Sequence, residues 1–173
     1  MIITEQESEW GIKMDKKEYI EALVQKAREA QREYERFTQQ QVDAVVKAIA
    51  RSVWENATEL ARMAVDETKM GVFEDKVKKN QGKARVIWHS LKDKKSMGII
   101  GINQETGVVE IAKPMGVVGA VTPCTNPIVT PMCNAMFSLK CKNAIIISPH
   151  PRAKQCARKL VDLFNRSEEH TSE

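Results

Sequence analysis

The sequence lacks the marks of several large protein classes. No two of its cysteines (Cys124, Cys133, Cys141 and Cys156) form a CxxC pair, and the nearest histidines complete no zinc pattern. No apolar run approaches the roughly 18 residues of a membrane span. The first residues, MIITEQESEWGIKMDKK, have no apolar core behind a basic start, so they are not a secretory signal. We therefore expect no metal site and no membrane association, and the free thiols favour a reducing cytoplasm.

The chain also lacks a concentration of charge of one sign. Its net charge is +4 and its pI about 8.9, and basic residues are interleaved with acidic ones. No Arg/Lys stripe with aromatic residues occurs, so we expect no nucleic-acid partner. With 173 residues, 42% hydrophobic and 29% charged, the composition is that of an ordinary globular domain with a real core.

Hydrophobic spacing predicts four helices in the first half of the chain. The first covers 17–37; its apolar face comprises Ile20, Leu23, Val24, Ala27, Ala30 and Tyr34. The second starts after Thr38, with Gln41 completing a capping-box pattern; its buried stripe comprises Val42, Val45, Val46, Ile49 and Val53. The third covers about 58–68 and the fourth about 74–91. The charge run over 74–95 is most simply a solvated helix face.

Strands follow these helices. The runs GIIGI and VVEIA flank a polar turn within 97–113 and predict a hairpin. The apolar run Val117–Thr122 predicts a strand buried on both faces. Asn126 and Pro127 suit the N-cap and first residue of a helix that reaches about Leu139. A second strand at Ala144–Ile147 precedes a last helix near Pro151.

Two segments carry a family resemblance. PMGVVGAVTPCTNP ends at Pro127, and NAIIISPHPRAKQCA ends at Ala157. At this separation and order they resemble the aldehyde dehydrogenase superfamily, and more narrowly its CoA-acylating branch, including the aldehyde half of bifunctional aldehyde–alcohol dehydrogenases. The resemblance implies an α/β fold, the N-terminal part of the aldehyde dehydrogenase fold, in which helices and a hairpin lead into a truncated Rossmann-like parallel sheet. Residues 1–96 would be helical and belong to the cofactor domain, 97–113 the hairpin of a bridging or oligomerisation region, and 114–165 the start of the NAD-binding domain.

The resemblance also assigns the turn after the first strand of the parallel sheet. It implies that Asn126 is catalytic and stabilises a thiohemiacetal oxyanion with its side-chain amide. A plain turn and helix cap is the alternative. The surrounding turn residues, Thr122, Pro123, Cys124 and Thr125, would lie against the nicotinamide end of NAD. Thr125 stands where members that release free acids often have an aromatic residue, and this favours CoA as acceptor.

The second turn is assigned in the same way. Ser148, Pro149 and His150 would face the adenosine part of NAD, and CoA in turn. Ser148 and the N-terminus of the following helix could hold ribose or phosphate. A capping or packing histidine is the alternative for His150. Although Cys124 lies two residues from Asn126, nothing pairs it with a base, and we interpret it as structural; the family nucleophile lies in a later domain.

The implied function is NAD-dependent, CoA-acylating oxidation of a short aldehyde to acyl-CoA, or the reverse, by a complete protein that acts as a homo-oligomer. Two alternatives stay open: a hydrolytic aldehyde dehydrogenase that makes a free acid, and a non-catalytic nucleotide-binding fragment. The sequence does not identify the aldehyde or decide between NAD and NADP. This chain alone lacks the nucleophile, and we expect it to be inactive.

The last residues, RSEEHTSE, form a distinct segment from Arg166 to Glu173. The string matches the in-frame translation of a common sequencing-library adapter, AGATCGGAAGAGCACACGTCTGAA. We therefore interpret it as an artefact that truncates a longer reading frame and exclude it from fold reasoning, His170 included. A natural polar terminus is the alternative.

Overall fold

The structure is a computed structural model that describes residues 2–4 and 15–169, with side chains described as far as residue 166. In chain order the elements are β1 (Ile2–Thr4), α1 (Lys16–Tyr34), α2 (Gln39–Glu55), α3 (Ala57–Thr68), α4 (Phe73–Leu91), β2 (Gly98–Ile102), β3 (Val109–Ala112), β4 (Val117–Thr122), α5 (Val129–Lys140), β5 (Ala144–Pro149), a 3-10 turn (Pro151–Ala153) and α6 (Lys154–Glu169).

A parallel sheet of three strands lies at the centre, in the order β1-β5-β4. Val117 pairs with Ala144 at one end of the β4–β5 ladder, and Thr122 pairs with Pro149 at the other. The predicted α/β class and parallel strands are confirmed. Sequence reasoning missed β1, whose Ile2 is buried and pairs with Ile145 on the far side of β5. A strand of three residues is too short for an alternating pattern to reveal it.

Helix α2 is the centre of the helical layer and matches its prediction closely. The Thr38 hydroxyl accepts a hydrogen bond from the Gln41 N–H, and the Gln41 side chain accepts one from the Thr38 N–H, so the predicted capping box is present. All five residues of its predicted stripe are buried. They belong to the core where α2 meets α4, α5 and α6, so one amphipathic face of α2 joins these helices.

Two predicted buried faces differ from those in the structure. In α1 the apolar stripe is buried at Ala27 and Tyr34, but Ile20 is 49% exposed. In β4 the prediction of a strand buried on both faces is wrong, because Val121 is 86% exposed while Thr122 is buried. The reason is positional: β4 is an edge strand of the described sheet, and Val121 is the next-to-last residue of that strand, beside the exposed turn that follows it.

The predicted hairpin is confirmed as an antiparallel pair of β2 and β3, with an irregular register between Ile99 and Gly101. Its turn is held by Asn103, whose Oδ1 accepts the N–H groups of Glu105 and Thr106 at 3.0 and 3.1 Å. The exposed apolar side chains of this hairpin are Ile99, Ile100, Ile102, Val108, Val109 and Ile111. An apolar two-stranded ribbon of this kind is typical of a contact surface.

Buried polar side chains fix the start of β4 against α5. Asn143 Oδ1 accepts the N–H groups of Met115 and Gly116 at 2.6 and 2.9 Å, and its Nδ2 donates to the Ser138 carbonyl at 3.2 Å. Gly116 has a φ of 113°, a conformation that favours glycine. The buried ammonium of Lys140, near the end of α5, pairs with Asp43 of α2. The hydrogen bonds of Asn143 therefore connect the start of β4 to the end of α5, and the ion pair connects α5 to α2.

The C-terminal helix includes the beginning of the adapter-like segment. Helix α6 continues through Glu169, whereas His170 and the residues after it lie outside the described part of the chain. The interpretation of this segment as an artefact stays a prediction. Within the ranges 2–4 and 15–169, no helix is long and apolar enough to cross a bilayer.

Candidate functional site at the carboxyl edge of the parallel sheet

The turns after β4 and β5 lie together at one edge of the sheet. The His150 N–H donates to the Thr122 carbonyl at 2.9 Å, which joins the two turns directly. The Thr122 side chain is buried beneath them, while Pro123 and Thr125 are exposed. The carboxyl edge of an open parallel sheet is where ligands bind in such folds. The fold therefore brings together the two sets of site residues predicted from sequence.

The sequence predicted that the Asn126 side chain caps α5, but the structure does not contain this cap. The helix begins at Val129, and no side chain caps it. Instead Asn126 Oδ1 accepts a hydrogen bond from Lys79 Nζ on α4 at 2.8 Å. The Asn126 carbonyl accepts the Thr130 N–H at 3.2 Å, so the backbone still leads into the helix. In the described part of the chain, Asn126 Nδ2 has no hydrogen-bond partner.

A second lysine of α4 holds the same turn. Lys76 Nζ donates to the Thr125 carbonyl at 3.3 Å. Burial lowers the pKa of Lys76, and the nearby charge of Lys79 lowers it further. The interpretation of this charge run as a solvated face is therefore wrong at Lys76, which is half-buried, whereas Lys79 is exposed and still contacts Asn126. Only a cavity of about 10 Å³ lies between α4 and Asn126, which is room for one water at most.

The second turn is held by contacts of its own. His150 Nδ1 accepts the Arg152 N–H at 3.1 Å and so caps the 3-10 turn. The Arg152 guanidinium donates to the Thr68 carbonyl at 2.9 Å, which ties the turn to the end of α3. Ser148 and Pro149 are half-buried at the end of β5. The capping alternative for His150 thus has a direct structural basis, and a ligand role for it stays a prediction.

The N-terminus of α6 already holds an anion. Glu67 of α3 accepts the Gln155 N–H with Oε1 and the Cys156 N–H with Oε2, both at 2.8 Å. These are the amides that a phosphate would take at a helix N-terminus. The α6 terminus therefore does not fit a phosphate in this arrangement. The donors that remain at the edge, near Thr125 and Asn126, fit a hydroxyl group or an oxyanion.

The cysteines near the site have the character of structural residues. Cys124 is half-buried, with its Sγ 3.8 Å from Met70 Sδ. Burial raises the pKa of Cys133, and burial together with a hydrogen bond to Glu67 strongly raises that of Cys156. A raised pKa leaves little thiolate at neutral pH, which is the opposite of what a nucleophile needs. Across 2–4 and 15–169, no three or more His, Cys, Asp or Glu side chains cluster as metal ligands would.

Sequence reasoning missed Lys76, Lys79 and Glu67. A signal for the lysines was present: Lys76, Lys79 and Asn80 follow the three- and four-residue spacing of one helix face. Asn80 is buried, and its Nδ2 donates to the Ala57 carbonyl at 3.3 Å. A small amide inside a charged helix indicates that this face turns inward. Glu67 gave no such signal, because its partners lie 88 and 89 positions away.

Comparison with known proteins gives a consistent set of relatives. A sequence model of the aldehyde dehydrogenase family matches residues 4–169. The chain is 51% identical over 146 residues to a succinate-semialdehyde dehydrogenase (acetylating) of Clostridium kluyveri, a match that covers 84% of this chain and 32% of that protein. The chain thus spans about a third of the length of that relative.

Solved structures agree with the sequence matches. The chain is similar to an acetylating aldehyde dehydrogenase from Geobacillus thermoglucosidasius, with a TM-score of 0.84 and 37% identity over 89% of this chain and 34% of that one. It is also similar to Rhodopseudomonas palustris propionaldehyde dehydrogenase with bound CoA and an acylated cysteine, with a TM-score of 0.74 and 32% identity over 88% of this chain and 35% of that one.

Proposed function

Because the chain belongs to the aldehyde dehydrogenase family, we propose that the complete protein oxidises a short aldehyde to an acyl-CoA with NAD, or catalyses the reverse reaction. The kinship with acetylating enzymes supports CoA as the acceptor, and so does the CoA bound to the R. palustris relative. One observation of this chain carries the proposal: the Asn126 amide lies at the carboxyl edge with its oxygen held and its nitrogen without a partner in the described residues.

The role that we propose for Asn126 is electrostatic. A cysteine outside this chain would attack the aldehyde carbonyl and leave a negatively charged oxygen. Nδ2 of Asn126 would donate a hydrogen bond to that oxygen, more strongly in the transition state than in the ground state. Removal of one such donor typically costs about 10² to 10³ in kcat.

The dinucleotide and CoA would supply the hydride acceptor and the thiol, respectively. We propose that Thr122, Pro123, Cys124 and Thr125 line the nicotinamide end of the dinucleotide and that Ser148, Pro149 and His150 line its adenosine end, where CoA would follow. Thr125 is exposed, and its hydroxyl suits neutral ring and ribose groups. The α6 amides are excluded from this assignment, because Glu67 holds them.

The whole protein would act as a homo-oligomer in the cytoplasm. The apolar hairpin of β2 and β3 supports an assembled state, since Ile102 and Ile111 are 58% and 56% exposed. The four free cysteines support a reducing compartment. A size measurement tests the homo-oligomer, and fractionation of the source cells tests the cytoplasmic location.

The test uses the complete reading frame that contains residues 1–165, obtained by sequencing the source DNA through and beyond the Asn165 codon. With a panel of short aldehydes, NADH and NADPH formation are followed with and without CoA. We expect CoA-dependent turnover and an acyl-CoA product detectable by mass spectrometry. Equal rates with and without CoA, with a free acid as product, would replace the proposal by a hydrolytic enzyme. A frame that ends after RSEEHTSE would leave a non-catalytic fragment.

A further inference from the structure

The function proposed above uses the Asn126 amide but gives no role to the side chains of α4 that contact its turn. Lys79 is exposed, so its side chain could extend into solvent at no cost in free energy. Its Nζ instead donates a 2.8 Å hydrogen bond to Asn126 Oδ1. Lys76, one helical turn before it, holds the neighbouring Thr125 carbonyl. Asn80 anchors α4 to the α3 backbone beside them. Three consecutive polar contacts on one helix face therefore fix the position of the turn.

The chemistry of a lysine determines the orientation of the asparagine. An ammonium group has three donors and no acceptor, so only the oxygen of an amide can face it. A side-chain amide that turns over exchanges its oxygen and its NH₂ group, and the turned form would put N–H donors against the Lys79 ammonium. Lys79 therefore selects the orientation in which Asn126 Nδ2 faces away from α4. A charged donor on the oxygen also polarises the amide and strengthens its N–H groups as donors.

We propose that Lys79 is a positioning residue for aldehyde oxidation: it holds Asn126 Oδ1 so that Nδ2 is presented to the oxygen of the reacting carbonyl. This inference rests on the role proposed above for Asn126. Lys79 itself does not touch substrate; it acts through the amide. Lys76 supports it by holding the backbone of the same turn.

The experiment uses the complete dehydrogenase and compares Lys79→Met, Lys79→Arg and a matched control, Lys78→Met. Lys78 is the adjacent exposed lysine on α4. Lys79→Met is expected to lower kcat about 10-fold, less than the loss of an oxyanion donor itself, with KM for NAD and for CoA changed by less than about 2-fold. Lys79→Arg keeps a charged donor and is expected to recover most of the rate. Lys78→Met is expected to behave as the parent enzyme.

A double variant separates positioning from a general structural effect. In an Asn126→Ala background the Lys79→Met change should cost no further activity, because the amide on which it acts is gone. A further loss of about 10-fold in that background would overturn the inference, and so would a raised KM for NAD at unchanged kcat, which would make Lys79 a phosphate ligand. Full activity of Lys79→Met together with impaired activity of Asn126→Ala would overturn this inference and leave the role proposed for Asn126 intact. Full activity of Asn126→Ala would remove the role proposed for Asn126 and this inference with it.

Discussion

Replacing Asn143 by alanine removes the buried amide that connects the start of β4 to the end of α5. Asn143 is 5% exposed, and its side chain makes three hydrogen bonds to backbone groups of Met115, Gly116 and Ser138. A buried polar group left without its partner costs about 1–3 kcal/mol. The exposed side of Met115 lets water reach part of the gap, so we expect a total loss of about 3 kcal/mol in the free energy of unfolding.

Urea unfolding followed by circular dichroism measures this loss, and thermal unfolding gives a second reading. For a chain of this size the midpoint should fall by roughly 6–12 °C, at about 2–4 °C per kcal/mol. Asn103→Ala is the matched control, because Asn103 Oδ1 also accepts two backbone N–H groups but in an exposed turn, where water replaces it. Its cost should stay near 0.5 kcal/mol. Equal losses in the two variants would refute the reasoning that burial sets the cost.

Two further predictions concern titratable groups. In a time course of alkylation at neutral pH, read by mass spectrometry, exposed Cys141 should react first and buried Cys156 last. Burial and the hydrogen bond with Glu67 keep the Cys156 thiol protonated. Early labelling of Cys156 would contradict the buried arrangement. For Lys76, whose pKa in the folded state lies below its ordinary value, the unfolded chain binds more protons between the two values, so stability should rise with pH through that window. Relative to Lys76→Met, the unfolding midpoint of the parent should increase as the pH rises toward the ordinary lysine pKa of about 10.4. Parallel pH profiles for the two proteins would contradict this prediction.

Features set by neighbouring residues were predictable from the sequence. The α2 stripe and its cap at Thr38 depend on side chains within a few positions, and the polar turn between two β-rich runs predicted the hairpin correctly. The turns after β4 and β5 were located correctly as well, and the contact of His150 with Thr122 joins them.

What the sequence could not predict depends on distant partners. Val121 has the residue type of a buried strand, but its exposure is decided by what packs against that face of β4. The sequence assigned Asn126 to the N-cap of α5, whereas the donor to its oxygen is Lys79, which lies 47 positions earlier in the chain. Local rules predict unpaired N–H groups at the start of α6, but in the structure two of them donate to Glu67.

The bond of Glu67 to the first turn of α6 also has a consequence for the order in which the chain folds. Its partners lie 88 and 89 residues downstream, and the Tyr34 hydroxyl contacts the Leu139 carbonyl across 105 residues. The ribosome releases the helices of the first half long before these partners emerge. Contacts of such sequence separation form slowly, because a long loop must close first. The apolar faces of the nascent helices therefore stay exposed until β5 and α6 have been synthesised. A chaperone would protect the chain most during this interval.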